Sequence, residues 1–513
     1  MDGPSSIKDK AAKGLVWNFL GKLHFAVVRY LESIILVRLL GATQYALFSA
    51  ALNLNALAVL ASALGIETAI ARFFTQYKAQ SDFPRARSFF WSALLLKTVF
   101  QSLTAALMFI FANELASNLL GGANRAYLVK AAALLSLAMA LQTFFVRVLV
   151  SLYLNKFLNL VAIAVYSAYL AVIWWLAKSG YDASTVLWAY FGLMALMAVV
   201  VGIRILGEFP VFGSLEKRFD YKRLLAFSGF LYLYSLLNFI IGKGMDIMLL
   251  GKLAIRIEEI TYYTIGYNLA FFSVGFFGLA LTEGFATTLT AEIVSTRPDR
   301  VREVFNAQFE YLFFFAIPVA LGGMVVSRDL ILGFYGDKVI GAWPVALIYF
   351  PLFVYSKLGA LTSTFLPVLD RERVLVYVRL VYGTLNAAIN IVLIPRYGAF
   401  GAAVGTSITS LAGIAYETFI MHKLVRPHYP WKFLIKTLVS AGLMGLAVFF
   451  VSAGLSVAPL LRAAIAVVVG ACVYGIMVIL LKPISPLNAE LMVRTGIPFS
   501  KTIAKLISHA QKG

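Results

Sequence analysis

Three charges, Lys22, Arg29 and Glu32, lie inside the run GKLHFAVVRYLES, which is otherwise apolar enough to cross a membrane. On a helix turning 100° per residue, Lys22 and Arg29 fall about 20° apart and Glu32 about 60° further round, so all three share one face. That face cannot meet lipid. Each charge at mid-bilayer costs on the order of 2.5–3.5 kcal/mol by insertion scales, so the face must look into a bundle interior or a wet cavity. A similar pattern returns later in the chain, where Lys243 is followed three positions on by Asp246.

The rest of the chain sets the scene for those charges. Of its 513 residues, 61% are hydrophobic and 13% charged, whereas soluble domains carry nearer a quarter charged. The expected fold class is an all-α polytopic membrane protein with about fourteen transmembrane helices, each an apolar run of roughly 20 residues. A β-barrel is excluded, because its strands would alternate every second residue and these runs are continuously apolar. The net charge of +20 raises a nucleic-acid partner, but its distribution argues against one. Roughly 28 of the Lys and Arg fall in the N-terminus, the C-terminal tail and alternate loops, against roughly 10 on the other side, the positive-inside pattern. It predicts a cytoplasmic (inner) membrane protein with both termini cytoplasmic and an even number of spans. The single Cys472 excludes a disulfide framework. The first span is expected to be retained as the insertion signal, since its apolar run is too long for a cleaved leader.

Spans are expected at about 15–40, 45–70, 88–112, 127–146, 158–177 and 184–206, then at 224–250, 260–289, 309–326, 342–366, 374–394 and 399–421. The polar stretch 207–223, with Pro210, Gly213 and four basic residues, reads as the hinge between halves. Expected domains are an N-lobe at 1–220, a C-lobe at 221–430, two extra spans within 431–482, and an amphipathic cytoplasmic tail at 483–513. Pro395, Arg396, Tyr397 and Gly398 should make a tight turn between the eleventh and twelfth spans.

The two halves look like copies. Arg29 corresponds to Lys243 and Glu32 to Asp246 at an offset of 214, and Glu67 corresponds to Glu283 at 216. Six spans per half, an even number, means both halves enter the membrane in the same direction. The expected architecture is therefore two six-helix lobes related by a pseudo-twofold axis along the membrane normal, with a ligand site near the midplane.

Nothing in the chain matches a catalytic set. His24, His422, His428 and His509 lack metal-ligand spacing, and there is no nucleophile elbow or P-loop, so no enzyme, metal or cofactor is expected. The informative residues are the intramembrane cations Lys22, Arg29, Lys97, Lys243, Lys357 and Arg379. As a cationic lumen they would attract an anionic headgroup, with Arg offering a planar fork matched to phosphate. The bland alternatives are snorkelling for Lys22, Lys97 and Lys357, and a mere i,i+3 ion pair with Glu32 for Arg29. Glu32, Asp246, Glu67 and Glu283 are candidates for a gate or for ion coupling. Gln101, Asn238, Asn268, Asn386 and Asn390 could bind sugars, although interhelical hydrogen bonds are the commoner use of such amides.

The segment LVYGTLNAAINIVLIPRYGAFGAAVGTSI, residues 380–408, resembles the eleventh and twelfth helices of the polysaccharide transporter, or oligosaccharide flippase, family of the multidrug/oligosaccharidyl-lipid/polysaccharide exporter superfamily. GLVWNFLGK from Gly14, VRLLGATQYALFSAALNL from Val37 and MDIMLLGKL from Met245 are similar to that family's first, second and seventh helices. The resemblance implies transport of a lipid-linked saccharide across the cytoplasmic membrane by alternating access of two lobes. The chain would then flip a polyprenyl-diphosphate-linked oligosaccharide, with Arg29 and Lys243 on the diphosphate, Lys22 assisting, and the last two spans offering a groove for the lipid tail. Expected partners are the lipid-linked saccharide, membrane lipids and polysaccharide-assembly proteins, with H+ or Na+ as candidate coupling ions. The alternatives are an ion-coupled exporter of soluble amphiphiles and a non-transporting assembly partner.

Overall fold

The computed structural model describes residues 4–216, 229, 232–233, 235–239, 242–275, 301–427 and 429–484. Among them there are helices and no strand. Helix α1 (Pro4–Leu40) meets α2 (Ala42–Ala61) at Gly41, and α3 (Phe83–Ile110), α4 (Ala126–Ser151), α5 (Asn155–Lys178) and α6 (Ala183–Glu208) follow. Then come α7 (Lys243–Leu253), α8 (Glu259–Ala270), α9 (Val301–Tyr335), α10 (Ala342–Val368), α11 (Glu372–Val425), α12 (Trp431–Gly454) and α13 (Pro459–Leu481). Ten helices among the described residues are long and apolar enough to cross a membrane. Helix α1 has the length but carries the charges on which the sequence argument began. The chain is an all-α, multi-pass membrane protein, in keeping with about fourteen spans.

Several ends carry the caps their sequences predict. Asp82 accepts from the backbone N–H of Arg85 at 3.2 Å with Pro84 in the first turn, and Asp182 accepts from Thr185 at the start of α6. The expected turn at 395–398 is sharper than a loop. Helix α11 is two arms meeting at Gly398, whose φ of 54° and ψ of −131° a side chain would make costly.

The chain divides into two compact units, Met1–Thr261 and Tyr262–Gly513. The division therefore falls after Thr261 rather than at the expected 220, and the packing of α7 explains why. Helix α7 lies against α2 and the short helix Ala112–Leu119, and Gly251 lets its backbone come so close that a Cβ there would run into the Leu119 carbonyl. In the first unit α5 packs along α1, and α4 is clasped by α2, α3 and α6. In the second, α9 packs on α10, α12 and α13, and α10 on α11. Val326, Met444, Val448, Ala463 and Ala466 form the core that ties α12 and α13 to α9, so the last two helices are part of this unit.

Two expectations about continuity change. The second span is not one helix to residue 70: α2 stops at Ala61, and Leu64 and Gly65 turn through left-handed φ values of 47° and 70°. The chain resumes as Ile66–Ala69, a π-helical turn Ile70–Phe74, and Thr75–Ala79. The stretch 207–223 is also not free to hinge throughout, since residues 209–216 are fastened to the first turns of α3. Arg87 Nε donates to the Pro210 carbonyl at 2.6 Å, Trp91 Nε1 to that of Val211 at 2.9 Å, and the Glu216 N–H to Ser88 Oγ at 2.8 Å. Phe209 is buried against Phe74 with ring centroids 5.0 Å apart. The expected amphipathic helix in the tail lies outside the described residues.

Candidate functional site

The charged face of α1 is covered from three directions. Arg29 Nη1 lies 2.6 Å from Glu32 Oε2, at ion-pair distance but without the alignment of a hydrogen bond. Glu32 Oε1 accepts from the hydroxyl of Tyr169 on α5. The Arg29 guanidinium stands over the ring of Tyr190 on α6, 5.9 Å from its centroid, and Tyr169 and Tyr190 pack at 5.0 Å. Lys243 begins α7 immediately after a break at Gly242, which is extended, and it lies within electrostatic range of both Arg29 and Glu32. Asp246, one turn on, is fully buried. Arg29, Glu32 and Lys243, from the two ends of the first unit's sequence, thus share one cluster. Lys22, further down α1, is exposed.

The arrangement is explicable from local sequence. Residues 29 and 32 are one turn apart, which allows their ion pair, and a buried Tyr needs a partner for its hydroxyl. The i,i+3 alternative for Arg29 therefore holds as geometry, yet it does not exhaust the site. Side-chain exposure is 27% for Arg29 and 3% for Glu32, so the Arg29 side chain is partly accessible, with Nη1 buried against the carboxylate, while the anion is enclosed. A cation fork held over the Tyr190 ring, with an ammonium nearby, suits an anionic group of more than one charge.

Other candidates fall into separate clusters. Lys97 is completely buried on α3 and pairs with Glu67 Oε1 at 2.6 Å, just beyond the break in the second span. One turn along α3, Gln101 accepts from Ser62 Oγ at that break and donates to Ser136 on α4 at 2.7 Å. Lys97 is thus the counterion of Glu67, and Gln101 serves helix packing. In the second unit, Lys357 donates to the Gly275 carbonyl at the end of the π-helical turn Phe271–Gly275, 3.4 Å away. Arg379 pairs with Glu417 at 2.7 Å, whose other oxygen accepts from Thr362 at 2.6 Å. Asn390 donates to Asn386 Oδ1 at 2.5 Å, and Asn386 to Thr406 on the facing arm at 2.9 Å. Both amides are fully buried, the packing use rather than an open sugar site. Asn238 and Asn268 are half-buried and bonded. Glu283 lies outside the described residues.

Sequence reasoning passed over Tyr169, Tyr190 and Glu417. Glu417 was open to the same argument as Arg29, being an ionisable residue in an apolar span. The tyrosines carry no such signal, because one Tyr in a span is ordinary until a charge is placed beside it.

The second unit also holds a cavity of about 550 Å³ between α9, α12 and α13. Phe314, Val326, Met444, Val448, Val467 and Tyr474 are among its walls, which are almost wholly apolar. Where α13 begins, Arg462 grips Asp329 of α9 with two hydrogen bonds, Nε to Oδ2 at 2.9 Å and Nη2 to Oδ1 at 2.5 Å.

Comparison with known proteins gives this geometry a setting. Residues 11–285 match the protein family described as "Polysaccharide biosynthesis protein". The chain is 24% identical over 199 residues to the "Probable flippase AglR" of Haloferax volcanii, an alignment covering 38% of this chain and 42% of AglR. Among solved structures it resembles the lipid II flippase MurJ in its inward closed conformation, with a TM-score of 0.71 at 15% identity, covering 89% of this chain and 97% of that one. It also resembles an inward-facing multidrug resistance transporter of the MATE family and MOP superfamily, with a TM-score of 0.60 at 12% identity over 78% of this chain and 96% of that one. At these identities the structural likeness speaks for the fold.

Proposed function

Because the chain belongs to the polysaccharide biosynthesis protein family, we propose that it is a flippase, carrying a polyprenyl-diphosphate-linked oligosaccharide from the cytoplasmic to the outer leaflet by alternating access. The observation that carries this reading is the meeting of Arg29 and Lys243 beside Glu32 and two buried tyrosines. Arg29 and Lys243 hold the diphosphate, with Lys22 assisting from further along α1. The apolar cavity beside α12 and α13 takes the lipid tail. The protein sits in the cytoplasmic membrane with both termini inside, and hands its cargo to the proteins that assemble surface polysaccharide.

Energy for transport comes from the membrane potential. A headgroup with about two negative charges releases roughly 2.3 kcal/mol per charge per 100 mV when moved outward across an inside-negative membrane. That suffices without H+ or Na+ antiport, for which Glu32, Asp246, Glu67 and Glu283 are the candidates. A cationic site is also the wrong sign for cationic drugs, which weighs against export of such amphiphiles. The test is reconstitution into liposomes holding either a lipid-linked oligosaccharide or a soluble cationic amphiphile. Potential-accelerated translocation of the former is expected. Efflux of the amphiphile with no movement of lipid-linked saccharide would reverse the assignment.

A further inference from the structure

A site that binds a diphosphate through Arg29 and Lys243 has no need of a carboxylate in its midst, yet Glu32 is there and is held from two sides. Its Oε2 faces Arg29 Nη1 at 2.6 Å and its Oε1 accepts the Tyr169 hydroxyl. The two partners are unlike. Tyr169 is fully buried, its ring packed on Tyr190 at 5.0 Å, so its hydroxyl is a fixed point. Arg29 is a long side chain with 27% of its surface exposed, against 3% for Glu32; its Nη1 is buried against the carboxylate, but the side chain is the member with freedom to swing toward an incoming anion. Lys243 stands within electrostatic range of both.

Building on the diphosphate reading above, we propose that Glu32 is a built-in competitor of the substrate. In the empty site it occupies Arg29, and when a diphosphate takes Arg29 over, the carboxylate stays with Tyr169. Glu32 and Tyr169 thereby set selectivity for multiply charged anions. A single anionic group that takes Arg29 must break a charge-assisted pair for one new contact in return. A diphosphate engages both cations at once and offsets the pair it breaks. Tyr169 lowers the cost of that exchange, because the displaced carboxylate keeps one hydrogen bond instead of being buried with none. The sequence spacing explains only the Arg29–Glu32 pair; the exchange requires Tyr169, which α5 alone supplies.

The experiment is calorimetric titration of the full chain in lipid nanodiscs with inorganic pyrophosphate and with inorganic monophosphate. Wild type binds pyrophosphate more tightly. In Glu32→Gln, monophosphate binding tightens on the order of tenfold and the preference narrows. In Tyr169→Phe, pyrophosphate binding weakens severalfold, the opposite sign, because the displaced carboxylate loses its remaining partner. The double variant behaves as Glu32→Gln does, since a neutral amide needs no retention. Structural damage would move both single variants in the same direction, and that result overturns the proposal. So does an unchanged preference in Glu32→Gln while wild type still binds pyrophosphate. No pyrophosphate binding by wild type or any variant would instead refute the diphosphate reading, and this inference with it.

Discussion

Glu67→Gln should be markedly more damaging than Lys97→Met, although the two residues form one ion pair. Lys97 has no exposed surface, whereas Glu67 keeps 21% of its side chain exposed, and Nζ and Oε1 are 2.6 Å apart. Removing the carboxylate strands a fully buried ammonium, the situation that costs about 3–5 kcal/mol when a buried pair is broken from one side. Removing the ammonium strands a carboxylate that reaches solvent at one edge, so the loss is about 1–2 kcal/mol once that exposure is discounted. The double variant Glu67→Gln/Lys97→Met strands nothing and fills the ammonium's place with an apolar chain of similar length. It should recover to within about 1 kcal/mol of wild type, leaving a coupling of several kcal/mol. The assay is unfolding in nanodiscs followed by intrinsic fluorescence, with all four proteins compared in one lipid. Equal losses in the two single variants, or losses that simply add in the double, would refute the reasoning. The pair would then be no more than a contact at the edge of the broken second span.

Three smaller predictions follow from single contacts. Gly405→Ala should cost about 1–3 kcal/mol, because its Cβ would run into Asn390 Oδ1 and dislodge the buried Asn390–Asn386–Thr406 chain; thermal unfolding in detergent reads the loss. Arg462→Lys should lower stability by about 1 kcal/mol, since an ammonium cannot reproduce the forked grip on Asp329, and Arg462→Ala should do no better. In the turn between α7 and α8, a hydrogen bond from Thr43 Oγ1 at 2.6 Å holds the half-buried Glu258 carboxyl below its usual range. A lowered carboxyl stabilises the fold above its ordinary value of about 4.3 and loses that contribution as pH falls through the lowered one. Thr43→Val should therefore lower stability near neutral pH and flatten the acid limb, the two curves converging as pH falls below the lowered value, as a pH series of unfolding midpoints will show.

How much of this was legible in the sequence differs by kind. Helix ends were readable to within a few residues wherever composition changes abruptly, as at Ala342, Pro459 and Leu481. They were unreadable at Ser62–Gly65, where an unbroken apolar run conceals a break that only Gln101, Lys97 and Tyr232 around it make sense of. The polar stretch after α6 looked like a hinge because Pro and Gly interrupt regular structure; its anchorage depends on Arg87, Ser88 and Trp91, some 120 residues earlier. At the site, the repeat picked out Arg29, Glu32 and Lys243 by charge alone, since charge in an apolar run is conspicuous. It could not say which cations already have partners. Lys97 and Arg379 turned out to be neutralised by Glu67 and Glu417, facts of packing rather than of pattern.

The measurement that bears most directly on the Arg29–Lys243 site is translocation of a fluorescent polyprenyl-diphosphate oligosaccharide in proteoliposomes, read by its accessibility to an external glycosidase. Wild type is compared with Arg29→Ala and Lys243→Ala under an imposed inside-negative potential. Each substitution is expected to slow translocation on the order of tenfold or more, about 1.4 kcal/mol for each factor of ten. Raising the potential should speed wild type more than either variant. Wild-type rates in both variants, with the protein folded and inserted, would contradict the assignment of these cations to the headgroup.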